Sequence, residues 1–354
     1  MIKYPYALPN LLSAVFLLSS CLAVLFFLEE TSEFSKDQPD YPLTVGRWIL
    51  IHVFRRSSTH GYSVLPIDDF YSESTHDVEL QQTPTSARPS TSHDKPAYTR
   101  TLPFKKLWTP NLITTMLAHG LLAMHVGTFH SLWYIFLSTP RFDPSHPSPP
   151  SFHPHGIHFT GGLALPPPRI GLALAILGVI GITLQLFVYP RLSHRLGAAK
   201  SYRIFLLLFP VTYVLVPFLS IVPSWSKPPE GVTGPLVWAC ITVVLFIQVL
   251  ARTFALPCTA ILINNCCPHP SVLGTVHGLG QSVSSLTRTF GPVMGGWIFG
   301  RGLDMGIVGL AWWILGCVAV VGVIVAQGVR EGEGHEILLE GEVRLKDGSV
   351  KRVD

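Results

Sequence analysis

The sequence predicts an all-α membrane protein with about seven transmembrane helices, and three observations lead there. Several runs of about 20 residues contain almost no Asp, Glu, Lys or Arg, the length an α-helix needs to cross roughly 30 Å of hydrocarbon. Only 13% of the 354 residues are charged, against about a quarter in soluble domains. No Asp or Glu falls inside any of those runs. In hydrocarbon every backbone N–H and C=O must be paired internally, so each run becomes a helix.

The runs lie at about 8–28, 112–137, 170–189, 204–222, 236–263, 272–299 and 305–327. The first is long for a signal peptide and ends in Glu29-Glu30-Thr31 instead of a small-residue cleavage site, so residues 1–30 read as a single span. Residues 31–107 are rich in Ser, Thr, Pro, Asp and His and cannot bury enough apolar surface to fold alone. They are expected to form a disordered cytoplasmic loop. One apolar patch, Trp48-Ile49-Leu50-Ile51, interrupts it, too short to span and suited to a membrane surface. Residues 108–329 are expected to form a six-helix bundle. Within it, residues 138–169 hold nine prolines and four histidines and read as an outer connection without regular structure. Residues 330–354, with several Glu, read as a solvated cytoplasmic tail.

Orientation follows from Lys and Arg near span ends. The connection 190–203 holds Arg191, Arg195, Lys200 and Arg203 and no carboxylate, which marks it as cytoplasmic. Alternation then places the N-terminus outside and the C-terminus inside. Plasma and vacuolar membranes both remain open.

A charge at mid-span costs about 2.5–3.5 kcal/mol on insertion scales. Two arginines, Arg252 and Arg288, sit well inside spans. Gln248, Arg252, Ala255 and Thr259 follow helical steps on one face, and His277, Gln281, Ser284, Ser285 and Arg288 do so on another. Such stripes suit a water-filled substrate path or a helix–helix interface. With no interior carboxylate in these spans, either a proton-coupling group lies elsewhere, or His277 takes that role as a lesser candidate, or there is none. Gly274 and Gly278, Gly291 and Gly295, and Gly296 and Gly300 are spaced for close helix approach, and Pro292 breaks the same span. These residues are the candidates for packing and gating.

Other classes find little support. The net charge of +4 is spread over loops, so no nucleic-acid footprint is expected. The six cysteines show no disulfide or zinc spacing; adjacent Cys266 and Cys267 read as apolar fillers in preference to lipidation sites. Proline and glycine in His153-Pro154-His155-Gly156-Ile157-His158 hinder a fixed metal geometry, so no metal or cofactor is expected. No GxSxG elbow, P-loop, HExxH or paired intramembrane carboxylates occur, which argues against an enzyme.

The segment Tyr4-Pro5-Tyr6-Ala7-Leu8-Pro9-Asn10-Leu11-Leu12-Ser13-Ala14 through Leu28-Glu29-Glu30-Thr31 resembles the sixth helix of fungal major facilitator transporters of the drug:proton antiporter type and their plant zinc-induced-facilitator-like relatives. A more specific likeness lies in Ile263-Asn264-Asn265, in Leu273-Gly274-Thr275-Val276-His277-Gly278-Leu279-Gly280-Gln281-Ser282, and in Arg288-Thr289-Phe290-Gly291-Pro292 with Gly295-Gly296. It resembles the tenth-to-eleventh helix region of the same group. In the cytoplasmic loop, Arg195 and Gly197 match the family's signature, while Pro190 and His194 stand where Gly and Asp would.

The resemblance implies helices six to twelve of a twelve-helix carrier. It implies a lipid bilayer and a small-molecule substrate as partners, and an N-terminal bundle missing from this chain as the other wall of the path. Transport of a small solute by alternating access is the expected function. A non-transporting receptor or a regulatory pseudo-transporter is the rival. Against a receptor, no Asp/Glu-Arg-Tyr ends a third span and no Asn-Pro-x-x-Tyr lies in the seventh.

Overall fold

The computed structural model describes residues 7–28, 41–52, 102–147, 152–339, 342–344 and 350–352. The chain divides into two compact units, Met1–Thr99 and Arg100–Asp354. In the first, α1 (Ala7–Phe27) packs against α2 (Tyr41–His52). At Gly46 a Cβ would collide with the Phe26 carbonyl, so glycine permits that approach. The helix α2 contains the apolar patch at residues 48–51. Its 12 residues are too few to span, but they are regular structure inside the stretch expected as a disordered loop. Residues 102–107, at the other end of that stretch, are ordered as well, with Phe104–Leu107 in a 3-10 turn and Leu102 and Leu107 buried; residues 31–40 and 53–101 lie outside the described residues.

The second unit is helical. Its elements are α3 (Pro110–Ser138), α4 (Pro167–Thr183), α5 (Tyr189–Leu196), α6 (Ala198–Leu206), α7 (Leu208–Leu215), α8 (Pro235–Asn265), α9 (Leu273–Asp304) and α10 (Leu310–Gln327). A short hairpin, β1 (Glu342–Arg344) and β2 (Val350–Arg352), follows. The runs Pro167–Leu196 and Ala198–Ile221 are each one span with internal irregularities. With α3, α8 and α10 they make five helices among the described residues that are long and apolar enough to cross a membrane. The α1 stretch Leu11–Phe27 is apolar but shorter. At 32 residues, α9 has the length without the apolarity. All seven sequence-read runs thus coincide with helices, and the membrane-type all-α fold stands.

Local chemistry accounts for the ends and breaks. Thr109 caps α3, its hydroxyl accepting from Leu112 N at 3.2 Å, and Pro110 takes the first position, where no N–H is needed. Between α4 and α5, residues Leu184–Val188 widen into a π turn. Pro190 has no N–H to offer the Leu186 carbonyl, and the wider turn absorbs that gap. Gly197, at φ +75°, ends α5 and starts α6, a conformation that costs a residue with a Cβ about 1–2 kcal/mol.

The core is aromatic where α3, α7 and α10 meet. The Phe129 ring lies 5.8 Å from each of Trp133, Tyr213 and Trp312, and Phe136 lies 5.8 Å from Trp312. Two segments differ from expectation. Between the end of α3 and the start of α4, the described residues of the Pro/His-rich connection form no helix or extended strand, yet they fold onto the end of α3. Gly162 N donates to Pro140 O at 2.8 Å and Leu165 N to Leu137 O at 2.8 Å, while Phe159, Leu163 and Leu165 are buried. The free carbonyls at the helix end recruit the loop's backbone donors. The C-terminal segment is also docked. Gly334 N donates to Asn265 O and Ile337 N to Pro268 O, both at 2.9 Å. Ile337 and Leu339 pack against a buried cluster that includes Cys266, Cys267 and Val272.

Candidate functional site: the polar face of α9 and the Arg252–His130 pair

The α9 helix presents three faces. One is buried against α3. There Gly291 and Gly295 lie beneath Thr128, Met124 and Leu132 so closely that a Cβ at Gly291 would stand 3.0 Å from the Met124 carbonyl oxygen. On the α3 side, a Cβ at Gly120 would stand 2.8 Å from Val283. Contacts advance in step along both helices, so α3 and α9 run parallel. Pro292 sits inside α9, half-buried beside this contact. A second face is open and polar: Gly274, His277, Gly278, Gln281, Ser282, Ser285, Arg288 and Thr289 are exposed. A third is open and apolar, with Leu286, Phe290, Val293 and Trp297 exposed. Nothing stands within 4 Å of a Cβ at Gly274, Gly278, Gly296 or Gly300. Of the three glycine pairs, only Gly291 and Gly295 meet a neighbouring helix among the described residues.

Arg288 anchors the polar face. Its Cγ would lie 3.3 Å from a Cβ at Gly127, so the absent side chain lets it cross α3. Arg252 approaches from α8 and donates from Nη1 to His130 Nε2 at 2.8 Å. A guanidinium has only donors, so His130 accepts with a bare Nε2 and carries its proton on Nδ1. His130 lies within electrostatic reach of both arginines, and His119 within reach of Arg288. Among the described residues no carboxylate pairs with either arginine. Arg252 also lines an open cleft of about 610 Å³ between α4 and α8, with Gln185, Thr253 and Pro257. The arrangement concentrates positive charge at one edge of the bundle and suits an anionic group.

The two polar stripes read from the sequence therefore part company. Gln248 and Thr259 are 2% and 3% exposed, inside the six-helix unit. Both Gln248 amide atoms are buried without a well-formed hydrogen bond among the described residues, with the Tyr213 hydroxyl beside them, and Thr259 lies beside the buried Tyr202 hydroxyl. Only Arg252 of that stripe reaches the edge. On α9, His277 reaches Asn264 Oδ1 at 3.4 Å, while Gln281, Ser285 and Arg288 stay open. Arg195 is exposed in the last turn of α5, next to Gly197. Sequence reasoning passed over His130 as a site residue. Its signal was its place eleven residues after His119, three helical turns along one face. The third histidine of α3, His125, is fully buried with Nδ1 2.9 Å from Tyr213 Oη, a core contact.

Comparison with known proteins gives a consistent picture. The chain is 31% identical over 351 residues to a major facilitator superfamily multidrug transporter, mfsB, of Aspergillus fumigatus. That alignment covers 94% of this chain and 55% of the relative. It is 29% identical over 162 residues to the major facilitator-type transporter psiT2 of Psilocybe cubensis, covering 44% of this chain and 30% of that one. It is 30% identical over 142 residues to a probable peptide/nitrate transporter of Arabidopsis thaliana, covering 39% of this chain and 26% of the plant protein. The chain thus spans about half the length of the Aspergillus relative and less than a third of the other two. No family model and no solved structure matches it. An all-helical membrane fold, sharing nearly its whole length with a transporter of that name, supports this chain's membership of the major facilitator superfamily.

Proposed function

We propose that this chain forms the helix-six-to-twelve part of a major facilitator transporter of the drug:proton antiporter type and helps move a small organic solute across a membrane by alternating access. The open polar face of α9 carries this reading. Gln281, Ser285 and Arg288 are exposed on a helix of membrane-spanning length, and hydrocarbon does not solvate them. They need water, a solute or a second protein body. A further helical bundle laid over this face would close a path lined by Arg288 and, at its edge, by Arg252 with His130. Gly274 and Gly278 on the same face leave room for that body to approach and slide. The paired cations favour a solute carrying an anionic group. The resemblance to multidrug and small-molecule carriers supports a solute of drug-like size. The proposed orientation has the N-terminus outside and the C-terminus cytoplasmic, in the plasma or vacuolar membrane.

The test is uptake of fluorescent organic anions by membrane vesicles containing the chain, alone and together with the N-terminal half of the Aspergillus relative. Arg288→Ala and Arg252→Ala should each lower uptake by at least about tenfold, the loss of roughly 1.4 kcal/mol of solute or transition-state stabilisation. Uptake that survives both substitutions would remove the arginines from the path. Absence of uptake in every combination would sink the transport reading.

A further inference from the structure

Three side chains from three separate segments meet outside the membrane-spanning helices. His269 lies in the connection between α8 and α9, His335 in the segment after α10, and Glu342 at the start of β1. The Nε2 of His269 is 3.2 Å from one carboxylate oxygen of Glu342, and the Nε2 of His335 is 3.2 Å from the other. One ligand atom from each residue lies within 4.8 Å of the other two. The His269 side chain is fully buried, and those of Glu342 and His335 are 8% and 14% exposed.

We propose that His269, His335 and Glu342 bind a divalent transition-metal ion of the zinc type, which clasps the C-terminal segment to the connection between α8 and α9. Two imidazoles and one carboxylate are a zinc donor set, and bonds of about 2.0–2.1 Å in a tetrahedral shell place neighbouring ligand atoms about 3.3–3.4 Å apart. The two imidazoles now contact different oxygens of Glu342, and a small closing movement from within 4.8 Å, or a carboxylate that meets the ion with both oxygens, gives that spacing. Nitrogen donors disfavour calcium and magnesium. Thiolate is not offered, since the thiols of Cys266 and Cys267 donate to the carbonyls of Ile263 and His269.

The surroundings hold the ligands in place, as metal sites require. His269 Nδ1 is 2.7 Å from Ser271 Oγ. Leu339 N donates to Glu342 Oε2 at 2.8 Å. The Arg344 guanidinium bonds the His335 carbonyl and pairs with Glu333 at 3.0 Å. Burial alone would raise the Glu342 carboxyl. The Leu339 N–H and the two histidines outweigh it and hold the group below its ordinary value, in the ligating form. Without metal, each Nε2–H donates to Glu342, and the Ser271 N–H, 3.1 Å from His269 Nδ1, favours that tautomer. On binding, both imidazoles ligate through a bare Nε2 and carry their proton on Nδ1 instead; for His269 this exchanges the bond accepted from Ser271 N–H for donation to Ser271 Oγ, 2.7 Å away. No electrons move.

The experiment uses the full chain in detergent, stripped with a chelator and titrated with zinc chloride, with metal content measured after gel filtration. About one zinc per chain should be retained. His335→Ala and Glu342→Gln should each weaken binding at least tenfold while helicity stays unchanged. Zinc should also slow tryptic cleavage after Arg344 in the unaltered chain but not in these variants. A chain with His153, His155 and His158 all changed to Ala should keep its zinc. The proposal is overturned if the stripped chain takes up no zinc, if uptake ignores both tail substitutions, or if only the loop-histidine variant loses it. None of these readouts involves transport.

Discussion

Helices α8 and α9 carry polar stripes that look alike in one dimension and meet opposite surroundings in three. On α8, Gln248 and Thr259 point into the six-helix unit and are almost fully buried. On α9, Gln281, Ser285 and Arg288 point out of it. The difference comes from the neighbours. Helix α8 lies among α3, α4, α6 and α7, so most of its circumference is covered. Helix α9 is pulled against α3 by glycine on both sides and meets α10 and α8 less extensively, so among the described residues its outer polar and apolar faces stay uncovered. A polar residue is therefore a packing problem on α8 and an available surface on α9.

Four tests would break or sharpen that contrast. The largest effect is expected at the buried glycine face. Gly291→Leu must displace Thr128 and the Met124 carbonyl, and overpacking of this kind costs about 3 kcal/mol. Thermal unfolding in detergent should show a lower midpoint or loss of the monodisperse protein. A midpoint equal to that of the unaltered chain would mean that α3 and α9 are not packed as described.

Next comes the edge pair. Arg252→Ala and His130→Ala, singly and together, form a cycle whose coupling should be about 2 kcal/mol, the worth of a hydrogen bond to a charged group. Additive effects would show that the contact contributes nothing. A smaller gain is expected inside the unit. Gln248→Leu removes two buried amide atoms that make no well-formed hydrogen bond among the described residues, so it should raise stability by about 1 kcal/mol. A lowered midpoint would show that the amide is satisfied in the folded protein. The smallest effect belongs to the open face. Gly278→Ala has nothing within 4 Å to displace and should stabilise α9 by about 0.5 kcal/mol through helix propensity. Destabilisation comparable to that of Gly291→Leu would reveal a helix covering this face.

Much of the fold was legible in the chain. Each apolar run became a helix, because hydrocarbon leaves an isolated segment no other way to satisfy its backbone. Pro190 and Gly197 marked real irregularities, because the missing N–H of one and the missing Cβ of the other act locally. The candidate site was legible in part. Arg252 and Arg288 were conspicuous as mid-span charges, yet His130, which Arg252 contacts, lies 122 positions away, a separation that helical periodicity does not register. The docking of Ile337 and Leu339 was hidden for a similar reason. They pack against a cluster drawn from far earlier in the chain, Cys266, Cys267 and Val272 among it, and neighbouring glutamates give the segment a solvated composition.

The sequence by itself determined that this is a helical membrane protein, where its spans fall, and which residues are costly in a membrane. Tertiary structure alone decided which polar stripe faces inward, which glycines carry a helix contact, and that His269, His335 and Glu342 meet. Periodicity assigns a residue to a face of its own helix. What that face meets depends on how neighbouring helices divide the circumference between them, and on chain segments that return from far along the sequence.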